Sequence, residues 1–428
     1  MVYPFLQAST KRILLQLMRY IYTFGVLFYA SIIRVAALFN PKAAKWVEGR
    51  KNWQKKLPDL SSEHVFWFHC ASLGEFDAGL PLMNALKEEN PQIFLVVTFF
   101  SPSGMENYHK RKHLADWVGY LPVDTKRNAK VLIEHFKPKA LFIVKYEFWS
   151  NLIEICSENK IKLFSVSTIL RENQRFFKWY GAFFRKTLHR MDYFFVQNET
   201  TCLLLSDIDI NNYKLTGDTR FDRVIENKRI GSSNSIIELF LKGQKAIILG
   251  SIWPDDEKVI FPYLHQHSDQ KFIIAPHNID EKHLESIENN LSGLTVRYTD
   301  FLEKDATKNI LLLNTIGHLT NAFQYGKIAY IGGGFSGNLH NILEPAVYGM
   351  PIIFGPIHTK FPEANMFIRK GIGFSVSTSK EVIETINNIE GQLDYLALKS
   401  MKIVQENTGS TDKIMSVLHE KYTEIFPH

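Results

Sequence analysis

From about residue 64 the chain alternates short runs of apolar, β-branched and aromatic residues with amphipathic stretches of helical period. Runs of the first kind are HVFWFHC (64–70), IFLVVTF (93–99), LFIVKY (141–146), KLFSVS (162–167) and YFFVQ (193–197). AGLPLMNALKEE (78–89) and NAKVLIEHF (128–136) are stretches of the second kind. After about residue 215 the series restarts with KAIILG (245–250), KFIIAP (271–276), NILLLN (309–314), KIAYIGG (327–333) and PIIFG (351–355). Strands alternating with helices predict doubly wound, parallel α/β structure. Two such series, in a chain of 428 residues, exceed what one hydrophobic core serves and predict two Rossmann-like domains in tandem. We place them at 58–215 and 216–428, behind an N-terminal segment 1–57. Ligands of open parallel sheets bind beyond the carboxyl ends of the strands, so a cleft between the domains is the expected site.

The N-terminal segment has a different pattern. Residues 20–33 (YIYTFGVLFYASII) carry no charge and lie between Arg19 and Arg34, and the basic run Lys42, Lys45, Arg50, Lys51, Lys55 and Lys56 follows. Residues 1–57 hold ten Lys/Arg against one acid, Glu48, so of a net charge of +6 this segment supplies +9 and the rest −3. Fourteen uncharged residues are few for a bilayer span of about 20, although the flanking arginines can snorkel. The segment is expected to cross the membrane or to lie in its interface. A core helix between solvated charges is the other reading. The positive-inside rule keeps the basic block, and the body after it, on the cytoplasmic face.

A hydrophobic content of 45% with 22% charged residues excludes wholesale disorder. Three cysteines, Cys70, Cys156 and Cys202, without a CxxC pair point away from disulfides and structural zinc and toward buried thiols in a reducing compartment.

Candidate chemistry sits in the loops after the strands. His69-Cys70-Ala71-Ser72-Leu73-Gly74-Glu75 ends the first strand, and a helix is expected from about Phe76, so Glu75 falls near a helix N-terminus. The macrodipole there favours an ionised carboxylate, which suits a general base and equally suits a plain cap. His69 reads as a core histidine. In the second series, Gly332-Gly333-Gly334-Phe335-Ser336-Gly337 precedes a helix expected to carry His340, Asn341 and Glu344. Literally this contains GxGxxG, but no acid follows at the end of the next strand (355–359), which disfavours a dinucleotide. A glycine loop opening onto a helix remains a site for a phosphate, with Asn341 and Glu344 on one helical face.

Asp207-Ile208-Asp209 imitates a metal-binding DxD but falls in a turn with no second acidic cluster, so no metal is expected. Asp255, Asp256 and Glu257 read as first-turn acids of a helix. His277 ends a strand on the same rim as the glycine loop. The stretch 175–190 (RFFKWYGAFFRKTLHR) reads as an amphipathic helix facing acidic lipid or an acyl chain, in preference to nucleic acid.

The ordered set HCASLGE (69–75), SPSG (101–104), YLPVD (120–124), YEFWSNLI (146–153), QNE (197–199), TGDTRFD (216–222), GSIWPDDE (250–257), IAPHN (274–278), NTIGHL (314–319) and HNILEPAVYGMPIIFGP (340–356) resembles the Kdo transferases. These enzymes add 3-deoxy-D-manno-octulosonic acid (Kdo) from CMP-Kdo to the lipid A precursor of Gram-negative bacteria. The resemblance runs over most of the chain. It implies a metal-independent GT-B fold without a cofactor, an acceptor domain followed by a CMP-sugar donor domain, and a site on the cytoplasmic face of the inner membrane. By the same resemblance Glu75 is the general base of an inverting transfer and Arg220 the basic transition-state residue. Donor contacts carry over to Pro276, His277, Ile316, Gly317, His318, Asn341, Ile342, Leu343 and Glu344.

The chain departs from that pattern at three places. Where the family shows E-x-E-x-W-P, this chain has Lys145, Glu147, Trp149 and Ser150, so either Glu147 replaces the first carboxylate or Lys145 supplies charge in another way. It has His277-Asn278 in place of Arg-His, and Asn338-Leu339-His340-Asn341 in place of GGHN. A GT-B enzyme using another nucleotide sugar on an envelope lipid, and a membrane protein that binds a sugar nucleotide without catalysis, are the two rival readings.

Overall fold

A computed structural model describes residues 3–427 other than 61 and 63, with side chains from Gln16 onward. The chain forms two compact units, Met1–Arg223 with Thr408–His428, and Val224–Asn407. In the first unit, β1 (Val65–Cys70), β2 (Phe94–Phe99), β3 (Trp117–Tyr120), β4 (Ala140–Val144), β5 (Lys162–Thr168), β6 (Tyr193–Val196) and β7 (Tyr213–Leu215) make a parallel sheet in the order β3-β2-β1-β4-β5-β6-β7. In the second, β8 (Ala246–Ile252), β9 (Phe272–Pro276), β10 (Thr295–Arg297), β11 (Ile310–Leu312), β12 (Gly326–Ile331), β13 (Ile352–Phe354) and β14 (Gly373–Ser375) run parallel in the order β10-β11-β9-β8-β12-β13-β14. The strand order reverses between β1 and β4, and between β8 and β12. At such a reversal the crossover helices leave on opposite faces and open a crevice at the strands' carboxyl ends.

Each central strand is buried on both faces, which is why its sequence reads as a continuous apolar run. Phe66 and Phe68 point to one side of the first sheet, where Phe68 stacks on Phe142 at 4.5 Å and Phe142 on Phe164 at 5.1 Å. Trp67 points to the other and meets Phe136 edge-on. The Phe66 side is closed by the helix Ser410–Lys421, whose Ile414, Met415 and Leu418 join that core together with Phe426. Residues 408–428 therefore belong with the first sheet, whereas the sequence-based partition ran the second domain to 428. Asp222 fixes the return, accepting the Gly409 and Thr411 backbone N–H groups and the Thr411 hydroxyl, all at 2.7 Å.

The helix Tyr3–Ala36 is ordered against the first unit by polar tethers. The Tyr22 hydroxyl donates to Asp124 at 2.7 Å and accepts from the Ser150 N–H at 3.1 Å, while Asn151 donates to the Thr23 hydroxyl at 3.2 Å. Asp124 also accepts the Asn151 and Leu152 N–H groups and so caps the helix Ser150–Glu158. Its opposite face is apolar and exposed, with Tyr20, Phe24, Phe28 and Val35 recurring at helical spacing. Among the described residues no helix is long and apolar enough to cross a membrane.

Residues 175–190 do not form the single amphipathic helix expected of them. They make a short turn, Arg175–Phe177, and a helix, Ala182–Leu188, broken where Gly181 lets the backbone pass against the carbonyls of Arg175 and Lys178. Cys70 and Cys156 are buried thiols, as the sequence suggests, but Cys202 is only half-buried.

Candidate functional site

The loops that leave β1 and β4 flank the strand-order reversal of the first sheet, and they carry Glu75 and Glu147. The helix after β1 begins at Leu73, three residues earlier than the sequence suggests, so Glu75 lies in its first turn and is 8% exposed. Its carboxylate accepts the Ser72 hydroxyl. After β4, Lys145 takes a left-handed backbone, φ +67°, a conformation that costs a side-chain-bearing residue about 1–2 kcal/mol. Glu147 is pushed up to about 7, first by burial and then by the charge of Glu75, against the opposing pull of Arg175. The two carboxylates thus feel each other across one crevice.

His69 lies beneath them, fully buried, with Nδ1 at 3.0 Å from the Thr98 hydroxyl and Nε2 accepting from the Trp149 indole at 3.1 Å. Burial holds it down to about 3, so it is a neutral core histidine that positions Trp149.

Arg220 opens the helix Arg220–Ile230 and forks onto Asp218, with Nε and Nη2 donating at 3.0 and 2.7 Å. Burial alone would raise the Asp218 carboxyl, but Arg220 and the nearby Lys145 together hold it below the usual carboxylate range. Two cations thus share the Asp218 carboxylate beside Cys70 and Glu75. The sequence left open what Lys145 does where the family has an acid, and here its charge joins the Arg220–Asp218 pair.

The second unit repeats the geometry at the reversal between β8 and β12. Trp253 follows β8, His277 follows β9, and His340 lies in the loop after β12. The Trp253 and His277 rings stack at 4.0 Å, His277 and His340 lie 4.7 Å apart, and the Trp253 indole donates to His340 Nε2 at 3.3 Å. Burial, with His277 adding to it, depresses His340 to about 4, and burial also lowers His277, so this stack is neutral at physiological pH. Asp256 is wholly buried and accepts the Trp253 and Gly333 N–H groups at 2.9 and 3.0 Å. It is therefore more than a first-turn acid, since it also pins the glycine loop to β8. That loop packs backbone against backbone, and a Cβ at Gly334 would fall within contact distance of Gly355.

The helix expected to carry His340, Asn341 and Glu344 begins only at Leu343 and spans five residues, Leu343–Val347. Asn341 precedes it, accepts the Leu343 N–H and donates to Glu344 at 3.0 Å, while Thr320 donates to the other Glu344 oxygen at 3.0 Å. Asn341 and Glu344 are brought together by that hydrogen bond and not by a shared helical face. The side chains of Ile342 and Leu343 are buried in the core. Pro276 is buried at the end of β9. Ile316 is 67% exposed, Gly317 turns at φ +104°, and His318 lies against Tyr298 at 4.3 Å. Asp207 and Asp209 lie in the turn after the helix Glu199–Ser206, and among the described residues no three His, Cys, Asp or Glu side chains converge as metal ligands. Trp253 escaped the sequence reading because its neighbours spell a helix start. Its only signal was its place at the end of a strand.

Residues 46–223 match the sequence profile of a family described as 3-deoxy-D-manno-octulosonic-acid transferase (kdotransferase). A 3-deoxy-D-manno-octulosonic acid transferase of Aquifex aeolicus is 28% identical over 76% of this chain and 86% of its own. That of Rickettsia bellii is 24% identical over 93% and 96%, respectively. Among solved structures, UDP-GlcNAc 2-epimerase from Neisseria meningitidis superposes with a TM-score of 0.62 at 16% identity, over 83% of this chain and all of that one. MurG of Acinetobacter baumannii superposes with a TM-score of 0.50 at 12% identity, over 83% and 99%. These two likenesses bear on the fold alone and agree with a GT-B architecture. Over the matched residues the chain is similar to the 3-deoxy-D-manno-octulosonic acid transferases, which are glycosyltransferases.

Proposed function

We propose that this enzyme transfers Kdo from CMP-Kdo to the glucosamine disaccharide of a lipid A precursor, lipid IVA, at the cytoplasmic face of a bacterial inner membrane. The observation that carries this reading is the pairing of Glu75 with Glu147 beside the Arg220–Asp218–Lys145 cluster, at the reversal point of the first sheet in a chain similar to this family. Glu75 takes the proton from the acceptor hydroxyl. The freed oxygen bonds to the anomeric carbon from the side opposite the departing CMP, whose bond to that carbon breaks with the electron pair on phosphate. The positive charges of Arg220 and Lys145 stabilise that phosphate. Glu147 fills the place of the family's missing carboxylate. The second unit supplies the nucleotide contacts at His277, 316–318, Asn341 and Glu344, and Trp253 with the neutral His277–His340 stack offers a flat surface to a base. The exposed apolar face of the helix Tyr3–Ala36 seats the enzyme in the membrane interface.

The test is transfer from freshly generated CMP-Kdo to tetra-acylated lipid A precursor in the presence of EDTA, read by mass spectrometry, wild type beside Glu75→Ala. A gain of Kdo with wild type alone supports the donor, the base and independence from added metal. Intact CMP binding with no Kdo transferred by wild type would discard the donor assignment in favour of another nucleotide sugar.

A further inference from the structure

A cavity of about 630 Å³ lies beneath the helix Tyr3–Ala36, within the ~300–1,000 Å³ typical of ligand sites. Gly25, Val26 and Ala30 of that helix form one wall, Phe148, Trp149 and Phe176 the other, and Glu147 stands at its edge. This lining is mostly apolar, with Tyr22, Asp124, Gln174 and Arg175 as polar members, and the cavity adjoins the paired carboxylates. One helical turn before Tyr22, Arg19, Lys126 and Arg190 converge on Glu154, Lys126 and Arg190 each at 3.0 Å. Glu154 is 5% exposed, whereas the three cations are 33%, 35% and 21% exposed. Three positive charges meet the buried Glu154, with Glu158 also acting on Lys126 and Arg190, so the cluster keeps a net positive charge. Burial and mutual repulsion lower the proton affinity of Lys126 and Arg190, as expected of a crowded cationic cluster.

We propose that this flank of the first unit is a lipid subsite: the cavity takes one fatty-acyl chain of a phosphorylated glycolipid, and the Arg19–Lys126–Arg190 cluster takes a phosphate of the same molecule. The inference rests on the acceptor being a lipid, as proposed above, and names the parts of that lipid which the enzyme grips. Complementary charge and the continuity of the cavity with Glu147 argue for this occupant. The exposed outer face of the helix offers apolar contact as well, but it offers no enclosure and no cationic cluster.

The probe is a series of monoalkyl phosphates from octyl to tetradecyl, below their micellar concentrations, with the full-length protein held in an amphipathic polymer. Trp46 and Trp149 line the cavity, so their fluorescence reports its filling. Affinity is expected to rise roughly fourfold per methylene until the cavity is full and then to level off. Gly25 lines the cavity and a Cβ there meets nothing within 4 Å, so Gly25→Phe occupies free space and also removes a poor helix former. It should move the levelling point to shorter chains. Arg19→Gln leaves Glu154 with Lys126 and Arg190, so the fold is kept, and it should weaken every chain length by the same factor of about ten.

Affinity that climbs equally in wild type and Gly25→Phe would place the chain on the outer face and overturn the cavity. An Arg19→Gln variant that binds dodecyl phosphate as wild type does would overturn the phosphate site, and inorganic phosphate binding as tightly as the alkyl phosphates would overturn the cavity. None of these measurements needs a sugar donor. Chain-length dependence without Kdo transfer keeps this site and discards the donor, and Kdo transfer without chain-length dependence does the reverse.

Discussion

Glu147→Gln removes a carboxylate that the fold holds near neutrality against its solution preference. Burial and the charge of Glu75 raise it from an ordinary 4.5 to about 7. At ~1.4 kcal/mol per tenfold change in proton affinity, that rise corresponds to about 3 kcal/mol. Below pH 4.5 the folded and unfolded chains both carry the proton and the group is neutral toward stability. Between 4.5 and about 7 the unfolded chain gives up its proton while the folded chain keeps it, so stability falls as pH rises. Above about 7 the loss is complete. The glutamine variant has no such loss, so relative to wild type it should gain about 2–3 kcal/mol more at pH 8 than at pH 5. Urea unfolding at four pH values from 5 to 8, with the free-energy difference taken from the transition the substitution moves, measures this directly. Glu75→Gln should shrink the same pH dependence, because Glu75 is the second cause of the shift. A difference between Glu147→Gln and wild type that is flat with pH would refute the account of two carboxylates sharing one crevice.

Three further outcomes follow from other parts of the molecule. Glu75→Ala should lower turnover by ~10²–10⁴ and leave nucleotide binding to the second unit unchanged; a matching loss of CMP affinity, measured by calorimetry, would make Glu75 a structural residue. Ser251 sits at φ +53° at the end of β8, so Ser251→Gly should stabilise the protein by about 1 kcal/mol in thermal unfolding; a lowered melting temperature would mean that the hydroxyl matters more than the strain. Phe24 and Phe28 stack on the exposed face of the first helix at 6.2 Å. Replacing both with glutamate should release the protein from vesicles in a flotation assay, and vesicle binding unchanged by the double substitution would move the membrane contact elsewhere.

The ten strands legible in the sequence are the central ones, where burial on both faces writes an unbroken apolar run. The four that were not legible, β3, β7, β10 and β14, are the four sheet edges. Three of them span only three residues, and all lie at the margin of burial, so packing selects little about their side chains. Glu75, Arg220 and the glycine loop could be singled out because each sits in a short motif beside a strand. The extent of the helix near His340 could not, since its residues are held by side-chain hydrogen bonds to one another and not by helical periodicity.

The sequence by itself determined the repeated α/β architecture, the basic N-terminal segment, the resemblance to a transferase family and the strand ends where chemistry belongs, because these depend on local periodicity and on motifs short enough to read along one line. Only the tertiary structure decided what stands together. It set Glu147 against Glu75 and Lys145 against Asp218, gathered Trp253, His277 and His340 into one stack, and returned residues 408–428 to the first sheet. It also opened a cavity under the first helix. These pairings join positions tens to hundreds of residues apart, and they follow from which strands neighbour each other and where their order reverses, information that periodicity along the chain does not carry.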